Sequence, residues 1–429
     1  MKKVHVSVLA VMIIAAGVTI LSSCQQSKGQ GGDYTIHKFQ KIQLSSAFYA
    51  EGAGIGDINQ DNQPDVIAGS YWYEGPDFKT KHAYYEPREY DPYKYSDNFI
   101  VNIEDVNGDD RNDILMVGFP GEAAHWFENP GSGDDYWNRH LIHERVDNES
   151  PQFYDLNRDG QLELVFHTDG YLGYATRNAD DPTQPWSFTR ISEQHDWGKF
   201  THGLGIGDID GDGLEDIMKK EGWWKNPGKD QLNSQWEYHE VDFGADQQGG
   251  AQMYAYDVDS DGLNDVVSSL NAHYWGLAWF RQTRNEDEIT FEQNIIMGDS
   301  TADNRYGVKF AEIHAIDLVD MDNDGVKDLV TGKRFWAHGP DGYDFHNNAA
   351  VLYWFKLDRS GPEVTFVPYL VDYDSGVGVE VDTGDLSGNG YPDIVVSNKK
   401  GTFVFLNQPE SVSRDVWEFN RPDPIEISE

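Results

Sequence analysis

A chain of 429 residues with 33 basic and 74 acidic side chains carries a formal net charge of −41. Such a surface repels polyanions, which excludes nucleic acid and anionic membrane surfaces as natural partners. Cys24 is the single cysteine, so no intrachain disulfide can form.

The first residues read as a secretory leader. Lys2 and Lys3 precede the mostly apolar stretch Val4 to Ile20, and Leu21-Ser22-Ser23-Cys24 resembles a bacterial lipobox. The expectation is a signal peptide over 1–24, lipidation at Cys24, a flexible tether over 25–33 and a β-domain over 34–429. That places the protein on the cell envelope, tethered by lipid to the outer membrane of a Gram-negative-type bacterium. No later segment is apolar for long enough to span a bilayer.

From residue 51 onward one acidic loop recurs at a period of about fifty residues. Its clearest copy is Asp208, Asp210, Asp212 and Asp216, at positions 1, 3, 5 and 9, with Gly213 at position 6 and Ile217 following. Carboxylates on alternate residues of a tight loop can converge on one hard cation, and calcium takes six to eight such oxygens. The other copies are Asp57, Asn59, Asp61 and Asp65; Asp105, Asn107, Asp109 and Asp113; and Asp155, Asn157, Asp159 and Glu163. Asp257, Asp259, Asp261 and Asp265 follow, then Asp320, Asp322, Asp324 and Asp328, and finally Asp385, Ser387, Asn389 and Asp393. The last should bind worst, since Ser387 and Asn389 carry no charge.

Each repeat holds signals for four strands. One enters the loop, and one leaves it (Asp65-Val66-Ile67-Ala68). A third carries aromatics (Trp126-Phe127, Trp223-Trp224), and a fourth is led by Trp (Trp137, Trp186, Trp236). The fold class is therefore all-β, a seven-bladed β-propeller with an Asp-rich metal loop in each blade. The third-strand tryptophans are expected to pack between blades. Two segments compete to close the ring, Tyr34 to Leu44 and Val416 to Arg421. Wider spacing marks Thr283 to Arg305 and Phe335 to Ala350 as insertions.

Strands that enter the loops should begin at the opposite mouth of the central channel. Six residues before the first Asp of each loop stand Glu51, Phe99, Glu149, His202, Ala251, His314 and Val379. Imidazoles and carboxylates on one axis suit a second metal, zinc or another divalent ion, or general acid–base chemistry. The loops after the second strands should face the same mouth and bring His273, His338, Lys219, Lys333 and Arg334. A basic, histidine-rich mouth on an acidic protein points to an anionic or enolate-like ligand.

The Asp-rich loops followed by Asp-Ile or Asp-Val resemble the FG-GAP/VCBS repeat family, which implies a calcium-stiffened propeller. Thr201-His202-Gly203-Leu204-Gly205-Ile206-Gly207-Asp208, Glu221-Gly222-Trp223-Trp224-Lys225-Asn226-Pro227 and Glu312-Ile313-His314-Ala315 resemble the propeller domain of aldos-2-ulose dehydratases. That resemblance implies a lyase removing water from keto-sugars beside a catalytic metal. On this reading, His202 and His314 hold the metal and His273 or His338 takes the proton. Lys219, Lys333 or Arg334 steadies the enolate. The alternative is a non-catalytic propeller that holds a glycan or protein partner.

Overall fold

The computed structural model describes residues 34–133, 135–244, 249–285, 288–338 and 348–425. The leader, Cys24 and the tether lie outside the described residues, as does 339–347 of one expected insertion. Within the described residues, no helix is long and apolar enough to cross a membrane. The chain is all-β and propeller-like, and Arg414–Asn420 is the one α-helix among these residues.

Every acidic loop joins two antiparallel strands. The strands entering the loops are Gly54–Gly56, Ile100–Glu104, the C-terminal half of Asn138–Tyr154, Leu204–Gly207, Gln252–Tyr256, Ile316–Val319 and Val381–Gly384. Each of these inner strands touches the next, and Val381–Gly384 touches Gly54–Gly56, so they form a closed circuit. Outward from each lie a second, third and fourth strand. Five sheets result, with four, seven, eight, four and four strands. The seven-stranded sheet arises because Asn138–Tyr154 is one 17-residue strand, outer in one repeat and inner in the next. The eight-stranded sheet arises where Leu204–Gly207 pairs in parallel with Gln252–Tyr256.

Glycine permits that crowding of inner strands. A Cβ on Gly205 would lie 2.2 Å from the Met253 carbonyl oxygen, and one on Gly52 would lie 2.1 Å from that of Phe99. The third strands fill the space between neighbouring repeats. Trp126, Trp223, Trp224 and Trp354 are among the largest fully buried side chains, and burying each aromatic contributes about 1.5–3 kcal/mol. Trp126 packs with Leu115, Leu164, Phe166 and Trp186, residues of two successive repeats. Trp72, Trp126 and Trp223 each stack a histidine of the adjoining fourth strand, His82, His140 and His239, at 4.1–4.4 Å between centroids. The packing role expected for these tryptophans is the one they have.

The closing strand is Tyr34–Ser45, which pairs along its length with Gly401–Val412. The rival, Val416 to Arg421, falls largely in the helix Arg414–Asn420, whose Trp417 packs 5.0 Å from the Tyr34 ring. The edge it would have taken is already paired. The stretch at Thr283 to Arg305 begins as a long hairpin of Leu277–Asn285 with Glu288–Met297.

The loops hold themselves in shape. In all seven, the carboxylate at position 1 accepts the backbone N–H of position 6. Oδ1 at position 5 accepts the N–H of position 7. Positions 4 and 6 both sit at positive φ, from Gln60 and Asn62 in the first loop to Gly388 and Gly390 in the last. Glycine, Asn and Asp tolerate that backbone best.

Candidate functional site

Six of the seven positions counted back from the loops are nine-tenths buried or more by a wide margin, and Glu149 is 8% exposed. Phe99, Ala251 and Val379 supply apolar wall. Glu51 and Glu149, from different repeats, are bridged by one guanidinium: Arg334 donates to Glu51 Oε2 and Glu149 Oε2, each at 3.0 Å. Burial opposes the charge on Arg334, but the two carboxylates overcome it and hold its pKa above the ordinary value. Burial also pushes the Glu149 carboxyl up; His202, Arg334 and His273 outweigh it and bring it down to about 2.

Against this charged bar stand the histidines. One ring nitrogen from each of His202, His273 and His314 lies within 4.8 Å of the other two. Their ring centroids are 5.1, 5.5 and 5.2 Å apart. His202 Nε2 is 3.5 Å from Glu149 Oε1. His314 Nδ1 lies 3.2 Å from the Glu312 carbonyl oxygen, which can only accept, so the proton sits on Nδ1 and the lone pair on Nε2. That Nε2 is buried and makes no hydrogen bond among the described residues. Burial, then Arg334, holds the His314 pKa well below the usual imidazole range. Burial, then His202 and His338, brings His273 down to about 4. Burial keeps His273 and His314 short of protonation at neutral pH, and with one ring nitrogen of His202 beside theirs the three residues fit a metal ion. His338 is exposed and stacks on His273 at 4.5 Å, so it is the histidine nearest solvent.

Two of the basic candidates take different places. Lys333 forms a fully buried ion pair with Glu312 and also donates to the Arg334 carbonyl, so its ammonium props up the site from behind. Lys219 is not beside the triad. Its Nζ meets His167 Nδ1 at 3.3 Å and lies 4.5 Å over the Trp197 ring. Burial lowers its pKa to about 8, against the pull of Glu221. Its strand turns that side chain into the neighbouring repeat, so the expectation that it steadies an enolate at the mouth is corrected. His125 lies within a third strand, opposite Met116.

Three further residues complete the site: sequence reasoning missed Tyr95 and gave Glu312 no role of its own, while Lys399 stands in a loop after a second strand, where the mouth was expected. Glu312 is the buried partner of Lys333. Lys399 lies 3.8 Å from Glu51 Oε1, donates to the Trp336 carbonyl at 2.6 Å and sits 4.4 Å over the Tyr95 ring. Tyr95 itself donates to the Ala337 carbonyl at 2.7 Å. No loop motif marks them; only the recurrence of Lys after the second strand hinted at Lys399. Around these groups is a rim of aromatic rings: Tyr93 against Trp336 at 5.9 Å, and Phe200 against Phe119 at 5.5 Å. Further down the channel, Gln252 seals the floor by donating to the Val379 carbonyl and accepting from Ile316 N, both at 3.1 Å. A cleft of about 390 Å³ lies elsewhere, between Tyr34–Ser45 and the C-terminal helix, and holds none of these groups.

An all-β, propeller-like chain with acidic loops and a buried polar centre is the class these features define. Residues 105–166 match the FG-GAP-like repeat family, so the chain carries at least one repeat of that kind. Among solved structures, it is similar to an Agrocybe aegerita lectin that recognises non-reducing terminal N-acetylglucosamine, at 18% identity, 86% of each chain and a TM-score of 0.46. It is also similar to the Photorhabdus luminescens Tc holotoxin pore, at 17% identity over 72% of this chain and 14% of the other, with a TM-score of 0.38.

Proposed function

We propose that the chain is a seven-bladed propeller whose channel mouth is a metal-assisted carbohydrate site, and that its chemistry is elimination of water from a keto-sugar or acidic sugar. The closed circuit of seven inner strands supports the blade count. The observation that carries the function is the histidine triad: three imidazoles from three successive repeats with ligand nitrogens within 4.8 Å. A module that only held a partner by its rim would gain nothing from converging imidazoles beside a buried Arg334 with two carboxylates.

In this reading His202, His273 and His314 hold a divalent metal such as zinc, which when bound polarises the sugar carbonyl. Glu149 keeps His202 oriented from behind. Arg334 and Lys399 supply positive potential where the enolate develops. His338, exposed above His273, takes the proton on the carbon next to the carbonyl. The carbon–oxygen bond at the β-carbon then breaks, a carbon–carbon double bond forms, and the imidazolium returns its proton to the departing hydroxyl, which leaves as water. Calcium in those acidic loops that hold no cation of the chain's own, and lipid attachment through Cys24 on the outer membrane, belong to the same proposal.

The test is a keto-sugar panel followed in the ultraviolet for a conjugated enone, with metal analysis of the purified protein. Wild type should turn over, while His202→Ala and His314→Ala should lose both turnover and the transition metal. Equal turnover in all three removes these histidines from the reaction. Sugar binding without turnover anywhere favours the second reading, a glycan-holding module, for which the aromatic rim of Tyr93, Trp336, Phe200 and Tyr274 speaks.

A further inference from the structure

The FG-GAP likeness implies calcium in every acidic loop, and in the fourth, fifth and sixth loops three carboxylate oxygens do lie within 4.8 Å of one another, but a cation of the chain itself already stands among them. The strand register shows why. In each repeat, the residue after loop position 9 pairs with a third-strand residue: Val66 with Tyr73, Ile114 with Phe127, Leu164 with Ala175, Ile217 with Trp224, Val266 with Phe280, Leu329 with Phe355 and Ile394 with Phe405. The next third-strand residue is therefore equivalent in all seven. It is Glu74, Glu128 and Thr176 in the first three repeats, Lys225, Arg281 and Lys356 in the next three, and Leu406 in the last.

In those three middle repeats the cation enters the loop and takes the carboxylates at positions 3 and 5. Lys225 pairs with Asp210 and, at 2.9 Å, with Asp212. Arg281 Nε lies 2.6 Å from Asp259, and its Nη2 lies 3.3 Å from Asp261. Lys356 pairs with Asp322 and, at 2.6 Å, with Asp324. In every case the oxygens engaged are the Oδ2 atoms. The remaining groups are used by the loop itself: Oδ1 of position 5 accepts the N–H of position 7. Position 9 is turned away and buried, and each of its oxygens accepts a bond, from the N–H of loop position 2 and from the third strand (Asp216, Asp265 and Asp328). A calcium ion needs those inward carboxylates at 2.3–2.6 Å. It cannot share them with an ammonium or guanidinium without strong repulsion.

We infer that Lys225, Arg281 and Lys356 are built-in counter-cations that replace calcium in the fourth, fifth and sixth loops, so that these loops keep their shape without a metal. The repeat thus exists in two electrostatic versions, distinguished by one register position of the third strand. In the first two repeats that position carries a glutamate instead. The side of the molecule built from the middle repeats is then indifferent to calcium, while any calcium dependence is confined to the other four loops, of which the second holds Arg111 against Asp109 at position 5 but leaves Asn107 at position 3 unpaired with a cation among the described residues.

The experiment measures bound calcium by equilibrium dialysis, and melting in chelator and in millimolar calcium, on the intact protein. The variants are Lys225→Met, Arg281→Met, Lys356→Met and, as the charge-keeping control, Lys225→Arg. Wild type should bind no more than four ions per chain. Each Met variant should melt lower than wild type in chelator, bind one ion more than wild type in calcium, and recover its melting temperature there. Lys225→Arg should bind as wild type does. More than four ions in the acidic loops of wild type overturn the inference, a result that stands even if a Met variant fails to fold. Met variants that bind no additional calcium, or that melt as wild type in chelator, overturn it as well.

Discussion

His167 shows at the scale of one side chain how burial reads out in solution. It is fully enclosed, with Lys219 at 3.3 Å on Nδ1, the Gly198 carbonyl at 3.3 Å on Nε2, and Arg145 and Asp147 nearby. Burial first, then Lys219, lowers its pKa from 6.5 to about 2. The unfolded chain takes up a proton near pH 6.5 and the folded chain does not until about pH 2, so unfolding binds a proton throughout that window. Stability from this group is complete above pH 6.5 and is lost as pH falls toward 2. His167→Asn, which keeps the polar contacts but does not titrate, should flatten the fall in melting temperature between pH 6.5 and 4.5. An unchanged slope would assign that pH dependence to other groups. The same scale shows how much of the site could be read beforehand. Counting back six residues from each loop locates Glu51, Glu149, His202 and His314, because strand periodicity carries one position of every repeat to one mouth. It cannot locate Glu312, which pairs with Lys333 across its own repeat, or Lys399, which meets Glu51 from the other end of the chain. The expectation that the ends of the second strands face the mouth misplaces Lys219, since it ignores which face of its strand a side chain leaves from.

The acidic loop is the element that was plainest in the sequence, and its spacing predicts the strand on either side in all seven copies. What spacing does not show is that position 4 is left-handed as well as position 6, because Gln60, Arg158, Ser260 and Asn323 stand there without a glycine to announce it. Nor does it show that the carboxylate at position 9 ties the loop to its own third strand. The backbone requirement makes a direct prediction. Gly262 has φ +88, and a Cβ there would meet nothing within 4 Å. Gly262→Ala therefore carries no steric clash with neighbours, only the cost of holding an L-residue left-handed, about 1 kcal/mol. Gly198→Ala, equally open but without positive φ, is the control. Thermal denaturation should show a lower melting temperature for the first and none for the second; equal melts would remove the backbone argument. The closing strand was legible only as one of two candidates. Pairing of Tyr34–Ser45 along Gly401–Val412 decides it, and that is a long-range contact no local pattern encodes.

Over the whole molecule the dominant electrostatic fact is a net charge of −41. Like charges spread over one compact body repel, and the folded state suffers more than the expanded chain. Exposed ion pairs such as Lys38 with Glu410 or Arg414 with Glu418 contribute little against this, typically 0.2–1 kcal/mol each. Monovalent salt shortens the reach of the repulsion to about 10 Å at 0.1 M. In chelator, the melting temperature should therefore rise with sodium chloride concentration. Calcium bound in loops that lack a resident cation would neutralise part of the same charge and bind the native state alone, worth about 2.7 kcal/mol per site at a hundred times its Kd. With calcium present the melt should start higher and depend less on salt. The comparison separates two terms that a single melt confounds: the salt slope in chelator reports general repulsion, and its reduction by calcium reports neutralisation at the loops. A melting temperature that falls with salt in chelator would mean that attractive pairs outweigh the repulsion, and the net charge would then lose its place as the main electrostatic load on the fold.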